Sequence, residues 1–238
     1  RAQVNLKMEG GRCVAYESNR IIARGIIRVV SRDGITAISS WQKDANRFRG
    51  IIECQIVDNK LVLINELSLE SYLIGLAEEP DTEPFEKQRA FAIAARSYAA
   101  HYMDDSNRKF PGKPYDGDDS PARFQKYGGF AFEERNPEWV RAVQGTDGMV
   151  LMKNSQVVKA AYFSSDDGRT RSPEENGWNG FPFAEVFVSK PDPWCNGMAL
   201  RGHGVGMSGC GAKGQALEGR TAEEILEYYY PGTILKKY

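Results

Sequence analysis

The order of strand-type and helix-type patterns is the feature that most limits the fold of this chain. Residues 1–66 hold Val- and Ile-rich segments, such as RGIIECQIV and KLVLINEL, separated by the turn sequences SRDG and VDNK. These segments predict strands. Residues 68–103 predict helix, and the hairpin sequence GMVLMKNSQVVKAAYFS and the strand sequence FAEVFVS follow later. Strands come first in the chain, helices follow and strands return, without regular βαβ alternation. This order predicts an α+β fold.

This order divides the chain into two parts. Residues 1–66 form a strand-rich N-terminal part, and residues 67–238 form a mixed part of helices and strands with a central cleft. The two can equally be one continuous domain, because 238 residues suffice for a single large core. Residues 104–130 are rich in Asp, Gly and Pro and predict a long exposed loop, which is either functional or a disordered excursion.

The net charge argues against attraction to nucleic acid, and the hydropathy argues against a membrane-spanning segment. Lys and Arg number 31 and Asp and Glu number 32, so we expect no overall attraction to nucleic acid. The longest apolar runs, such as Leu61–Ile64, are far too short to span a membrane. Because the chain begins at Arg1 and not at Met, we expect that a targeting segment or a membrane anchor preceded it.

The cysteine pattern leaves the redox state open. The four cysteines are widely spread and form no CxxC pair, which disfavours a zinc knuckle. They can form two disulfides in three connectivities, or they can be buried free thiols. The residues are Cys13, Cys54, Cys195 and Cys210.

The segment LAEEPDTEPFEKQRAFAIAARSYAAHYM is the first candidate for chemistry. Glu78 and Glu79 precede a predicted helix, where carboxylates are either partners of the helix dipole or acids at the edge of a cleft. Two arginines interrupt an apolar stripe of this helix, and a buried guanidinium needs an anion or a cleft. The stripe consists of Phe85, Arg89, Ala92, Arg96, Ala99 and Met103.

The segment AYFSSDDGRT is the second candidate. Its hydroxyls follow a predicted strand end and can line a polar groove, or they can belong to an ordinary turn. Because no GxSxG elbow surrounds Ser164 or Ser165, neither is predicted to be a nucleophile.

The segment RGHGVGMSGCGAKGQALEG is the third candidate. Gly202, Gly204 and Gly206 flank His203, and glycine permits positive φ and close approach to the backbone. His203 is either a satisfied core histidine or a group beside a bound ligand. Ser208 is expected to cap a helix that begins near Gly209.

Taken together, these segments resemble the SpoIID/LytB family of peptidoglycan lytic transglycosylases and amidase enhancers. The motifs are GHGVGMSGCGA followed by ILEYYYPGT, EEPDTEPFEKQRAFAIAARSYA, QKYGG and YFSSDDGRT, and they occur in the family's order from about Tyr72 to the C-terminus. The chain departs from the family pattern at several places. These are Glu79, Glu83, Asp166, Asp167, Gly209 and Cys210.

The resemblance implies a role for each matched position. Glu78 falls on the catalytic glutamate of the family and Arg96 on its helix arginine, so both are predicted to be catalytic. The predicted substrate-binding residues are Gln125, Tyr127, Tyr162, Ser164, Ser165, His203, Gly204 and Ser208. We expect Arg96 to pair with a carboxylate such as Glu78. We also expect the glycines around His203 to clear space for a sugar in the same cleft as Glu78.

The resemblance also implies an activity and a location. It predicts cleavage of the bond between N-acetylmuramic acid and N-acetylglucosamine to give a 1,6-anhydro end, with no cofactor and no metal. The alternative is an amidase enhancer or glycan-binding module that keeps the cleft but not the chemistry. The implied partners are glycan strands of peptidoglycan and a cell-wall amidase or another envelope protein, which predicts an extracytoplasmic location.

Overall fold

The computed structural model describes residues 3–42 and 46–238, and it confirms the predicted α+β class. The chain forms two compact units. The first comprises residues up to Ala77 together with Phe110–Glu134, and the second comprises Glu78–Lys109 together with Arg135–Tyr238. These limits differ from the predicted division at residue 66, because residues 67–77 and part of the long loop pack with the N-terminal strands.

The first unit is built from two antiparallel three-stranded sheets. One sheet has the order β1-β2-β3 and the other β4-β5-β6. The strands are β1 (Asn5–Glu9), β2 (Arg12–Glu17), β3 (Arg20–Arg24), β4 (Ile27–Ala37), β5 (Arg47–Val57) and β6 (Lys60–Glu66). A disulfide between Cys13 and Cys54 joins β2 to β5 inside the small core of this unit.

Turn chemistry explains where these strands end. Asp58 and Asn59 both adopt positive φ between β5 and β6, as the predicted VDNK hairpin turn requires. The other predicted turn, SRDG, does not end a strand. Strand β4 continues through it, and the pairing with β5 shifts register between Val30 and Ile35. This is a bulge, at which Gly34 adopts a φ of 76°.

Two short helices complete the first unit. Helix α1 (Leu69–Ile74) begins at Ser68, whose side chain accepts a hydrogen bond from the backbone N–H of Ser71. Helix α3 (Phe130–Glu133) follows the long loop. The loop itself contains only a 3-10 turn at Asp105–Asn107 among its described helical and strand elements, in agreement with the loop prediction.

The second unit surrounds one buried helix, α2 (Phe85–Met103). Helices and a three-stranded sheet pack around it, and the sheet has the order β11-β7-β8. The surrounding elements are α4 (Pro137–Gly145), α5 (Gly209–Leu217), α6 (Ala222–Tyr229), β7 (Met149–Lys153), β8 (Gln156–Val157) and β11 (Ile234–Lys237). Of the predicted stripe, Ala92, Arg96 and Ala99 are buried, whereas the two ends of the stripe are not. Alanines elsewhere on α2 are buried as well, since their small side chains let neighbours approach from several sides.

Local signals in this unit agree with the sequence in most places. Asn154 and Ser155 form the predicted hairpin tip with positive φ, and Thr221 and Glu224 form the predicted capping box of α6. The strand predicted at FAEVFVS is wrong. A 3-10 turn, Ala184–Val186, occupies it, because Phe183 adopts the left-handed conformation and ends any extended run.

A short parallel pair of strands carries two of the motifs. Strand β9 (Tyr162–Phe163) pairs with β10 (Met207–Ser208), so Tyr162 lies opposite Met207. The YFSSDDGRT and GHGVGMSGCGA motifs are therefore adjacent in the second unit. Among the residues that the structure describes, no helix has both the length and the apolar character needed to cross a membrane.

Candidate active site

Glu78 and Tyr162 form the centre of the candidate site. Glu78 lies in the segment before α2 and is half-buried, and Tyr162 lies on β9. The Tyr162 hydroxyl donates a hydrogen bond of 2.5 Å to Oε2 of Glu78. The tyrosine ring packs edge-on against Phe91 of α2, with 4.6 Å between ring centroids. The carboxyl group is therefore held by a hydroxyl whose own ring is fixed by the core.

A second tyrosine lies beside this pair. The ring centroid of Tyr98 is 6.1 Å from that of Tyr162. Burial is the main cause that raises the pKa of Tyr98, and the charge of Glu78 adds to it. The Nζ atom of Lys109 donates a hydrogen bond of 2.8 Å to the Tyr98 hydroxyl. Tyr98 is thus a neutral phenol whose hydroxyl accepts a hydrogen bond from an ammonium group.

Glu79 has partners different from those of Glu78. It is only 3% exposed, and its Oε1 lies 2.6 Å from Nζ of Lys87. Lys87 also pairs with Glu83 at 2.9 Å. Burial raises the pKa of Glu79 to about 7, against the opposing effect of Lys87. Of the two adjacent glutamates, Glu78 is therefore the one that meets Tyr162.

Arg96, which is predicted to be catalytic, is fully buried. Its hydrogen bonds include the carbonyl oxygens of Val143 at 3.1 Å and Met149 at 3.2 Å, and the Thr146 hydroxyl at 3.4 Å. The guanidinium thus ties α2 to the C-terminal end of α4, where a cation is favoured, and to the start of β7. The predicted catalytic role of Arg96 and its predicted pairing with a carboxylate stay predictions.

The glycines around His203 make room for the protein's own chain. A Cβ atom on Gly206 would lie 1.9 Å from the carbonyl oxygen of Ala161, just before β9. A Cβ atom on Gly204 would lie 2.6 Å from Cγ of Arg171, and both glycines have positive φ. Close packing therefore requires Gly206 beside the start of β9 and Gly204 beside Arg171, which is a different reason from the predicted clearance for a sugar.

His203 is held by the backbone on both sides of its ring. Nδ1 accepts a hydrogen bond of 3.0 Å from the N–H of Val205, and the ring also hydrogen bonds the backbone of Tyr162. Burial lowers its pKa to about 4, so the imidazole is neutral at physiological pH. Tyr162 therefore contacts His203 through its backbone and Glu78 through its hydroxyl. His203 adjoins the predicted site, and its nitrogens are engaged in fixing β9.

The three predicted serines differ in accessibility. Ser164 is exposed. Ser165 is buried and its hydroxyl donates to the carbonyl oxygen of Ala199 at 2.8 Å. Ser208 is buried and caps α5 by accepting from the N–H of Gly211, as predicted. Two of the three hydroxyls thus stabilise the surrounding loops, and their predicted role in substrate binding stays a prediction.

Gln125 and Tyr127 belong to the first unit. Oε1 of Gln125 accepts a hydrogen bond of 3.0 Å from the Tyr72 hydroxyl, and the Tyr127 hydroxyl donates to Asn65 at 3.2 Å. The rings of Tyr72 and Tyr127 stack with 5.3 Å between centroids. The QKYGG motif therefore builds part of the packing of this unit, and its contact with a glycan stays a prediction.

Two buried carboxyl groups lie behind β10. Asp166 and Asp192 are both fully buried, and Asp192 accepts a hydrogen bond of 2.6 Å from the Tyr229 hydroxyl. Burial and the neighbouring Asp166 raise the pKa of Asp192 to about 7. The Asp166 carboxylate also lies within 4.8 Å of the sulfur atoms of Cys195 and Cys210. These sulfurs are joined in a disulfide, which leaves no thiolate there to bind a metal.

An aromatic and basic cluster was not predicted from the sequence. Trp178 lies 4.9 Å from His203 and stacks on Phe181 at 5.4 Å, measured between ring centroids. Nζ of Lys159 lies 4.4 Å from the Phe181 ring centroid. Aromatic faces and amines of this kind suit a sugar or an anion. Only the position of Lys159, three residues before Tyr162, could have drawn attention to it.

Comparison with known proteins agrees with the motifs. The SpoIID family model, described as Stage II sporulation protein, matches residues 57–152. Stage II sporulation protein D of Bacillus subtilis (strain 168) is 24% identical over 73% of this chain and 76% of that protein. Stage II sporulation protein D of Bacillus amyloliquefaciens is 26% identical over 55% of this chain and 40% of that protein.

A further relative has a different name. The Amidase enhancer of Bacillus subtilis (strain 168) is 54% identical over 37 residues, which cover 16% of this chain and 5% of that protein. This match is short and local. Together with the longer matches, it confirms the resemblance to the SpoIID family.

Proposed function

From this confirmed resemblance to the SpoIID family, we propose that the protein is a peptidoglycan lytic transglycosylase with Glu78 as its catalytic acid and base. The observation that carries the proposal is the 2.5 Å hydrogen bond between the Tyr162 hydroxyl and Glu78. It joins the matched glutamate of one motif to the matched tyrosine of another.

The reaction needs only one carboxyl group. Glu78 enters protonated and gives its proton to the oxygen that links N-acetylmuramic acid to N-acetylglucosamine. The bond from that oxygen to the anomeric carbon breaks, and an oxocarbenium-like centre forms. Hydrolytic glycosidases use a second carboxylate to act as a nucleophile or to manage water.

The second step regenerates the enzyme. The C6 hydroxyl of the muramic acid attacks the anomeric carbon and gives its proton to the Glu78 carboxylate. The products are a 1,6-anhydro end and a free glycan end. An intramolecular hydroxyl has a high effective molarity and outcompetes water, so Glu78 serves both steps.

The neighbours of Glu78 support this use. The Tyr162 hydroxyl donates to Oε2, which stabilises the carboxylate that forms when the proton leaves. His203 fixes the backbone of Tyr162 and is neutral, so it is a positioning residue. Arg96 donates to the carbonyl oxygen of Val143 and so positions α2 against α4.

A second candidate function rests on the local match to the Amidase enhancer. Under it, the protein binds glycan strands and acts on a cell-wall amidase without cleaving the strands itself. Both functions place the protein outside the cytoplasm, where peptidoglycan lies. Only the first needs an ionisable group at position 78.

Digestion of purified peptidoglycan separates the two functions. Intact sacculi and sacculi pretreated with an amidase are incubated with the protein, and the soluble products are identified by mass spectrometry. A transglycosylase releases fragments with 1,6-anhydro ends from at least one substrate. An enhancer releases none alone but increases the products of an added amidase.

A further inference from the structure

A disulfide in the second unit joins a 3-10 turn to the first turn of helix α5. Cys195 ends the turn Pro193–Cys195 and is fully buried, and Cys210 is the second residue of α5. Cys210 is also one of the positions at which the chain departs from the family pattern. The resemblance to the family therefore assigns no role to this cross-link.

The disulfide packs against strand β10. The Ser208 hydroxyl lies 3.3 Å from Sγ of Cys195 and 3.2 Å from Sγ of Cys210. Ser208 is fully buried, ends β10 and caps α5. Because β10 pairs with β9, the disulfide contacts the strand that lies next to the strand of Tyr162.

Backbone hydrogen bonds connect the cross-linked helix to both sides of Tyr162. The N–H of Cys210 donates a bond of 3.0 Å to the carbonyl oxygen of Ser164, two residues after Tyr162. The N–H of Met207 donates a bond of 3.1 Å to the carbonyl oxygen of Ala161, one residue before it. A displacement of the first turn of α5 would therefore move the strand that presents the Tyr162 hydroxyl.

The strand pair itself is too short to fix this position. Strands β9 and β10 have two residues each, so they contribute few ladder hydrogen bonds. The contact between Tyr162 and Glu78 nevertheless requires a defined position, because a hydrogen bond weakens steeply when donor and acceptor lose their alignment. A covalent link behind β10 supplies the restraint that the short strands lack.

We propose that the Cys195–Cys210 disulfide positions Tyr162 for its hydrogen bond to Glu78. The disulfide acts through β10 and through the bond from Cys210 to Ser164, so its cysteines are positioning residues. The inference rests on the proposed function for its effect on cleavage. The contact of Tyr162 can be measured without a substrate.

Nuclear magnetic resonance of protein with tyrosine isotope-labelled at Cζ follows the Tyr162 hydroxyl directly. Tyr162→Phe identifies the signal of this residue. The signal is then compared between the wild type and the double variant Cys195→Ala/Cys210→Ala. The matched control is Cys13→Ala/Cys54→Ala, which removes the disulfide of the first unit.

A second variant disturbs the same contact with both disulfides intact. A Cβ atom on Gly209 would lie 2.8 Å from the carbonyl oxygen of Ser164, so Gly209→Ala should push the first turn of α5 away from the end of β9. Gly145→Ala is its control, because a Cβ atom there meets nothing within 4 Å.

Cys195→Ala/Cys210→Ala and Gly209→Ala should both move the Tyr162 signal, and the two controls should leave it in place. In single-turnover assays both variants should cleave strands about tenfold more slowly. Strand binding, measured with Glu78→Gln added to each variant, should change little. In a Tyr162→Phe background, loss of the disulfide should lower the rate no further, because the contact is already absent.

Three results overturn the proposal: an unmoved Tyr162 signal in the folded variants, equal movement in the Cys13→Ala/Cys54→Ala control, or a further large loss of rate in the Tyr162→Phe background. If the Cys195→Ala/Cys210→Ala protein does not fold, the signal in Gly209→Ala decides. Failure of the proposed function looks different. In that case the wild type yields no 1,6-anhydro ends, while the Tyr162 signal still depends on the disulfide.

Discussion

The hydroxyl of Tyr162 donates a 2.5 Å hydrogen bond to Oε2 of Glu78, and this contact joins two motifs that are far apart in the chain. Strand β9 brings Tyr162 to the carboxyl group, and β10 and His203 hold β9 in place. Substitution of Tyr162 therefore tests directly whether this hydrogen bond supports catalysis by Glu78.

Tyr162→Phe should lower the rate of the chemical step with little change in folding. The ring still packs on Phe91, and only the donor to Glu78 is lost. A hydrogen bond to a charged group contributes about 1.5–3 kcal/mol, which corresponds to a loss of roughly tenfold to a hundredfold in kcat. Single-turnover assays measure this step. Tyr228→Phe, which removes an exposed hydroxyl, is the matched control, and equal effects in both variants would contradict the role of Tyr162.

Arg96→Lys should reduce the stability of the protein. Lysine keeps the charge but loses the planar fork that serves the carbonyls of Val143 and Met149 and the Thr146 hydroxyl. We expect the free energy of unfolding to fall by about 2 kcal/mol in chemical denaturation. Arg89→Lys on the same helix, which pairs only with partly exposed acids, should change it much less. An active-site role for Arg96 is indicated instead if activity is lost while stability is unchanged.

Asp192→Asn should change how stability depends on pH. The pKa of Asp192 is raised to about 7 from an ordinary value of 3.8, so the folded state holds a proton that the unfolded state has lost. The stability that this proton contributes is complete below about pH 4 and disappears as pH rises to about 7.

Over this window the slope attributable to Asp192 approaches 1.4 kcal/mol per pH unit at most. The free energy of unfolding of the wild type minus that of Asp192→Asn should therefore fall between pH 4 and pH 7. Taking the difference removes the similar contribution of Glu79, whose pKa is also about 7. A difference that is flat or rises with pH would show that the Asp166–Asp192 pair does not share a proton.

Short-range features of the fold could be predicted from the sequence. The hairpin tip at Asn154 and Ser155, the capping box at Thr221 and the cap at Ser208 depend on a few adjacent residues, and all are confirmed. The SRDG bulge and the FAEVFVS turn were mispredicted. In SRDG, which has a pattern typical of turns, Gly34 adopts positive φ and forms a bulge within the strand. In FAEVFVS, which has a pattern typical of strands, Phe183 adopts positive φ and ends the extended run.

The site could be predicted only where motifs marked it. The motifs marked Glu78 and Tyr162 as site residues but did not predict the contact between them. The partners of Arg96 include backbone carbonyls, which carry no sequence signal. The proximity of Asp166 to Asp192 and of Trp178 to His203 depends on how the loops return to β9 and β10. No local pattern records such long-range convergence.

The most direct test of the central claim is mass spectrometry of the products from intact and amidase-treated peptidoglycan, with the wild type and Glu78→Gln compared. The account predicts 1,6-anhydro ends from the wild type and a rate about a hundredfold to ten-thousandfold lower for Glu78→Gln. Glu79→Gln, which alters the neighbouring buried pair with Lys87, should retain cleavage. Near-normal production of anhydro ends by Glu78→Gln would contradict the assignment of Glu78 as the catalytic acid and base.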